Sequence, residues 1–218
     1  MVWEGPRGRV DLRWAMREVR RARVSETAVL AEMLARAFAL DPVALDLFPA
    51  ESGRARRMRR FFAIQLRHTY FPRGEVMTLP DLSSAALVVW PDAPTASAFH
   101  QLASLRLVPL LRGQIFAAQQ MGRAILATHP STPHVYLGTI GTDPALQGSG
   151  RGTALIEELL QRCDAAGLSC RLEASTTSNV TFYEGFGFRC IQEFPIRTGG
   201  PMLYVMHRLP GRADQARP

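Results

Sequence analysis

Thr139–Leu160 reads TIGTDPALQGSGRGTALIEELL, and the fold is decided at its central turn, Gln147-Gly148-Ser149-Gly150-Arg151-Gly152. A β-branched run precedes the turn. An amphipathic helix follows it, with Leu155, Ile156, Leu159, Leu160 and Cys163 on one face and Gly167 as its stop. Glycines at alternate positions let backbone N–H groups converge on an anion, and a helix starting near Thr153 adds the positive end of its dipole. Two familiar phosphate turns do not fit. A nucleotide P-loop needs a lysine after its glycines, and the 26 basic residues of this chain are all arginine. A dinucleotide fingerprint needs a third glycine or an alanine at its sixth position. Counting from Gly148 that position is Thr153, and from Gly150 it is Leu155; the chain beyond is also too short for the rest of such a domain.

The strand end and bend Ile140-Gly141-Thr142-Asp143-Pro144, then Q-x-x-G-x-G, then a helix, resemble the coenzyme A site of the GNAT superfamily of N-acetyltransferases. Downstream, RLEASTTSNVTFYEGFGF resembles that family's later segment, with Asn179, Tyr183, Gly187 and Phe188 in the matching places. From His134 to Arg208 the chain is most similar to the puromycin N-acetyltransferase-related subgroup, through LEAS…N…FYE…GF and GGPMLYVMHR. RAFALDP and VVWPDAP resemble the subgroup more loosely. Thr142 departs from the valine more usual in such relatives, a mild change where backbone makes the contacts.

The resemblance implies a mixed α/β (α+β) fold, a mostly antiparallel sheet flanked by helices; the helical stretch 91–133 is expected as an insertion between the third and fourth strands, which often follow closely in this fold. It implies acetyl-CoA as cosubstrate and no metal. Coenzyme contacts would come from Thr139, Ile140, Gly141 and Thr142 on the strand. The turn would add Gln147, Gly148, Ser149, Gly150, Arg151, Gly152 and Thr153, and the later helix Asn179, Phe182 and Tyr183. The implied reaction is direct attack of a primary amine on the thioester. Tyr183, whose phenol has an ordinary pKa of about 10 and is protonated at neutral pH, is expected to donate to the departing sulfur. Glu173 is the expected base, on the strand face opposite Leu172; His134, His100 and His129 are alternatives. A backbone N–H near Ile140 or Gly141 is expected to polarise the carbonyl.

At 218 residues, 47% apolar and 21% charged, the chain suits one soluble domain, read here as 18–210 between tails at 1–17 and 211–218. No apolar run approaches the ~18 residues of a membrane span. The first residues lack a hydrophobic signal core, so a cytoplasmic protein is expected. The net charge of +7 favours an anionic coenzyme. The run RARRMRR (54–60) carries Met58, Phe61, Phe62 and Leu66 at helical spacing, which reads as the solvated face of one helix rather than a nucleic-acid surface. A first strand is expected in VRRARV, then a helix capped by Ser25 that buries Val29, Leu30, Met33, Leu34, Ala37 and Phe38. A strand pair, EVMTLP and AALVVWP, is expected around a turn at Asp81 to Ser84. Cys163, Cys170 and Cys190 lack metal-ligand spacing and read as free core thiols.

The helical stretch 91–133 is expected to wall an acceptor pocket with Phe99, Leu102, Leu105, Leu107, Ile115 and Phe116, joined by Asp41-Pro42 and the loop Arg197 to Pro201. Such a wall suits a small-molecule amine with hydrophobic or aromatic bulk. A protein lysine or amino-terminal acetyltransferase and a non-catalytic coenzyme-binding regulator stay open, and a homodimer is common among relatives.

Overall fold

The run His134–Thr142 becomes the middle strand of a sheet in the computed structural model, which describes residues 2–5, 8–11, 18–92 and 107–211. In chain order the strands are β1 (Val2–Gly5), β2 (Gly8–Asp11), β3 (Arg20–Arg21), β4 (Glu75–Thr78), β5 (Ser84–Val89), β6 (His134–Thr142), β7 (Ser169–Ala174), β8 (Arg189–Pro195) and β9 (Met202–Arg208). The helices are α1 (Thr27–Ala37), α2 (Pro42–Leu47), α3 (Arg54–Gln65), α4 (Val108–Leu111), α5 (Ile115–Ala127), α6 (Arg151–Ala165) and α7 (Thr177–Glu184). Among the described residues β3-β4-β5-β6-β7-β9-β8 form a seven-stranded sheet, antiparallel at every step except β6–β7. This is the mixed, mostly antiparallel architecture expected from the sequence. In the stretch read as an amino-terminal tail, β1 and β2 pair with each other as a separate ribbon.

The parallel step creates the site. β6 and β7 pair from His134 with Ser169 to Tyr136 with Arg171, and the ladder ends there although both strands run on. Past Tyr136 the strands splay. Among the described residues the facing backbone of β6 has no strand partner on that edge, while its other edge stays bonded to β5 as far as Thr142. Backbone N–H and C=O groups at such an opening need partners, which a bound ligand can supply.

Helices cover both faces. On one, Leu30, Leu34, Met58, Phe62 and Leu66 of α1, α3 and the π turn Leu66–Tyr70 pack on Leu87. On the other, Leu155, Ile156, Leu159 and Cys163 of α6 pack on Val135, Leu137 and Leu172. Each fully buried aliphatic side chain contributes roughly 1.5–3 kcal/mol, so these two faces outweigh local propensity. The packing is tight at Gly141, where a Cβ would come within 3.0 Å of Leu34 and 3.1 Å of Phe38, so those side chains would have to give by a few tenths of an ångström where α1 rests its last turn on β6.

Several expectations are corrected. Val29 is 54% exposed, because α1 turns a narrower stripe inward than its apolar content suggests. Ser25 does not cap α1; it lies in the 3-10 turn Val24–Glu26, where the Glu26 carboxylate accepts the Arg23 N–H at 2.8 Å. Arg57 leaves the solvated face of α3 and is buried, donating to the carbonyls of Ala50 and Ser52. Cys163 and Cys170 are core thiols, but Cys190 is exposed on the edge strand β8. In the insertion, Leu107 and Ile115 pack on the first core, whereas Phe116 is 68% exposed; Phe99, His100, Leu102 and Leu105 lie outside the described residues.

Candidate active site at the strand splay

The splay opens into a groove of about 620 Å³. Ile140, Gly141 and Thr142 line it from β6, and Gln147, Gly148 and Gly150 from the turn. Arg151, Gly152 and Thr153 contribute from the start of α6, and Asn179, Phe182 and Tyr183 from α7. Two expected contacts fall elsewhere. Thr139 lines a second, neighbouring cavity. The Ser149 hydroxyl bonds within the turn, donating to the Leu146 carbonyl at 2.5 Å and accepting from Arg151 at 2.9 Å.

The turn is held from several sides. Asp143 caps the 3-10 turn Pro144–Leu146 by accepting the Ala145 N–H at 3.1 Å, and it pairs with Arg36 at 2.5 Å. The Arg36 bond, then the Ala145 N–H, holds the Asp143 carboxyl below its ordinary range. Gln147 Nε2 donates to the Thr142 carbonyl at 3.3 Å. Arg151 Nε reaches Ser83 at 2.7 Å and its Nη2 reaches Asp81 at 3.0 Å, tying the turn to the β4–β5 connection. Gly148 and Gly150 have φ of 74° and 81°, the left-handed region where only glycine is unstrained. Gly150 is also the N-cap of α6 and supplies no side-chain cap, and the first-turn residues Arg151, Gly152 and Thr153 line the groove.

α7 is capped by Thr176, whose hydroxyl accepts the Asn179 N–H at 3.2 Å. Asn179, Phe182 and Tyr183 then follow at i, i+3 and i+4, on one face. Tyr183 is buried, packed edge-on against Phe182 and Phe188. Burial lifts its phenol well above the usual value.

The second cavity, of about 180 Å³, lies behind the splay. Its walls include Phe38, Phe48, Phe61 and Phe62, with Met121 and Ile125 of α5 and Leu203 of β9. Glu173 reaches it, with both carboxylate oxygens engaged: one accepts the Tyr136 hydroxyl at 2.7 Å, the other Arg171 Nη2 at 3.0 Å. Burial, then the Glu173 charge, raises the Tyr136 phenol, which stays protonated as the donor. Phe38 and Asp41 line both the groove and the cavity, so the two spaces meet at the end of α1.

Residues 79–188 match the model of the acetyltransferase (GNAT) family. The chain belongs to the GNAT acetyltransferase family. A solved structure from Corynebacterium glutamicum, described as histone acetyltransferase HPA2 and related acetyltransferase, is 25% identical. It covers 90% of this chain and 97% of its own, with a TM-score of 0.69. Arylalkylamine N-acetyltransferase 2 of Aedes aegypti (11% identity, coverage 89% and 99%, TM-score 0.55) shares the fold. So does the ribosomal-protein-S18-alanine N-acetyltransferase of Escherichia coli (16%, 92% and 98%, 0.50).

GNAT enzymes are acyltransferases that use acetyl-CoA as cosubstrate, and the groove has the chemistry to hold it. Uncapped N–H groups at the α6 terminus suit a diphosphate, and the open β6 edge suits an amide-bearing arm. Among the described residues no group of His, Cys, Asp and Glu could hold a metal, and no helix is long and apolar enough to cross a membrane. Two of the three alternative bases, His129 and His134, do not reach the site, and the third, His100, lies outside the described residues. His129 Nδ1 and His134 Nε2 lie 3.0 Å apart, and neither residue lines the groove or the cavity. Sequence reading missed Phe38 as a site residue, and also Tyr136 and Arg171. Alternation along HVYLGTIGT and CRLEAS could have placed Tyr136, Arg171 and Glu173 on one face, but not shown that the splay makes that face a cavity floor.

His129 is expected to make the fold sensitive to acid. Burial, then Arg171 and His134, lowers His129 to about 4. Unfolded, His129 would take a proton below about 6.5; folded, it does so only near its lowered value. Its contribution is therefore complete above about pH 6.5 and falls as pH drops toward the folded value. The urea midpoint is expected to decrease between pH 7 and 5, and to decrease less in His129→Gln. Equal slopes would remove His129 from the acid response.

Proposed function

We propose that this GNAT protein transfers acetyl from acetyl-CoA to a primary amine of a small molecule by direct attack in the cytoplasm, and that it belongs with the puromycin N-acetyltransferase-related subgroup. The observation that carries this reading is the meeting of the coenzyme groove with a walled apolar cavity containing a carboxylate. Glu173, directly or through one water, takes a proton from the bound amine, and Tyr136 and Arg171 hold the carboxylate in place. The amine nitrogen bonds to the acetyl carbon as the carbon–sulfur bond breaks. A backbone N–H near Ile140 or Gly141 faces the carbonyl oxygen, and Tyr183 donates to the departing sulfur. The net products are an N-acetyl amide, free thiol and one proton.

The test is thiol release from acetyl-CoA with arylalkylamines, aminoacyl nucleosides, aminoglycosides and lysine peptides. Turnover is expected with small amines and not with peptides. Release with peptides alone would replace this reading with a protein acetyltransferase, and coenzyme binding without release would replace it with a regulator.

Gly152 separates the needs of the fold from those of the ligand. A Cβ there would meet Thr142 Oγ1 at 3.6 Å, an ordinary contact, and alanine favours the helix by up to about 1 kcal/mol. Yet the added methyl faces the groove. Gly152→Ala is expected to unfold at the same or higher temperature while calorimetry shows coenzyme A bound roughly tenfold more weakly. Unchanged affinity would take the start of α6 out of the coenzyme site.

A further inference from the structure

Asp41 sits where the coenzyme groove and the apolar cavity meet, and it is the one carboxylate that lines both among the described residues. Its own bonds fix it without using it up. One oxygen accepts the Ala44 N–H at 3.0 Å as the cap of α2, and the other accepts the hydroxyl of Ser175, which follows the end of β7. A carboxylate offers about four lone-pair sites, so acceptor capacity remains toward the opening. Among the described residues no cation is paired with it, in contrast to Glu173, which is paired with Arg171 at 3.0 Å. The two carboxylates thus differ in kind: one is ion-paired at the cavity floor, and the other stands at the junction with no cation beside it among the described residues.

We propose that Asp41 anchors the ammonium of the acceptor, so the acceptor is a cationic amine whose compact apolar or aromatic body fills the cavity. This rests on the reading of the groove as the acetyl-CoA site. The cavity selects the body by size and by surface. At about 180 Å³ it is smaller than the ~300–1,000 Å³ clefts that take drug-sized ligands, so one ring or a branched chain fills it. Phe38, Phe61 and Phe62 present aromatic surface that suits a ring and favours a nearby cation. Asp41 places the nitrogen at the passage into the groove. A polyhydroxylated polyamine would leave hydroxyls unpaired against these walls, which sets the specificity.

The probe is 2-phenylethylamine, with 2-phenylethanol as its uncharged counterpart. Asp41→Asn keeps the cap of α2, since asparagine is an equally good N-cap, and removes the charge. It is expected to raise KM for 2-phenylethylamine roughly 10- to 100-fold, leaving coenzyme A affinity and inhibition by 2-phenylethanol unchanged. Glu32→Gln, an exposed carboxylate of α1 outside both spaces, serves as the control and is expected to leave KM unchanged. Independently of any change at Asp41, Ile125→Trp fills the cavity and should abolish 2-phenylethylamine turnover while ethylamine is still acetylated. A KM for Asp41→Asn within twofold of the parent overturns the proposal, as does equal weakening of the amine and the alcohol. Wild-type turnover of aminoglycosides or peptides without turnover of 2-phenylethylamine also overturns it, while leaving acetyl transfer intact. Absence of thiol release with every amine would instead overturn the functional reading itself.

Discussion

Tyr183→Phe is expected to lower kcat for acetyl transfer roughly 10- to 150-fold while KM for acetyl-CoA stays within about twofold. The magnitude follows from what the phenol can do in its setting. Burial raises the Tyr183 phenol well above its usual value, so it is protonated throughout the neutral range. That same shift makes complete transfer to sulfur unfavourable, because a thiol titrates near about 8.5. In the proposed mechanism Tyr183 would therefore act as a fixed hydrogen-bond donor to the developing thiolate, with the proton coming from solvent later. A hydrogen bond to a charged group contributes roughly 1.5–3 kcal/mol, which sets the range, and a full general acid would give about 100- to 10,000-fold. The ring keeps its contacts with Phe182 and Phe188 in the variant, so stability should change little. Turnover unchanged in Tyr183→Phe would take the side chain out of the reaction. A loss of kcat matched by an equal rise in KM would make it a binding group only.

The groove side of this site was legible in the sequence because it is built from local backbone chemistry. Gly148 and Gly150 announce left-handed backbone by being glycine, and the stripe from Leu155 to Cys163 announces the helix behind them. The cavity side was not legible to the same degree. Asp41-Pro42 reads locally as the start of a helix, which it is, and nothing in that dipeptide says that its carboxylate faces a groove. Met121 and Ile125 were passed over for Phe116, because helical period alone cannot say which face of α5 turns inward when both carry apolar residues. Arg171 was hidden by a sound rule, that arginines stay at the surface.

Arg171→Met is expected to destabilise the fold by about 3–5 kcal/mol, the usual consequence of removing one partner from a buried ion pair. Arg171 is fully buried on β7, and its guanidinium makes three connections: to the carbonyl of Thr128, to the Thr128 hydroxyl and to Glu173. Without it, Glu173 remains an almost buried carboxylate supported by Tyr136, and the carbonyl at the end of α5 loses its donor. Replacing both partners, as in Arg171→Met with Glu173→Leu, removes the uncompensated charge and should recover most of the loss. The urea midpoints of the two single variants and the double variant therefore form a cycle with a large favourable coupling. The same contacts tie α5 to the sheet, and α5 carries Met121 and Ile125 into the cavity wall. Arg171→Met should then raise KM for the amine and leave coenzyme A affinity unchanged, because the turn and α6 are held independently by Ser83, Asp81 and Arg36. An Arg171→Met protein as stable as the parent, or a double variant less stable than either single one, would mean that the ion pair is not what joins α5 to the floor of the cavity.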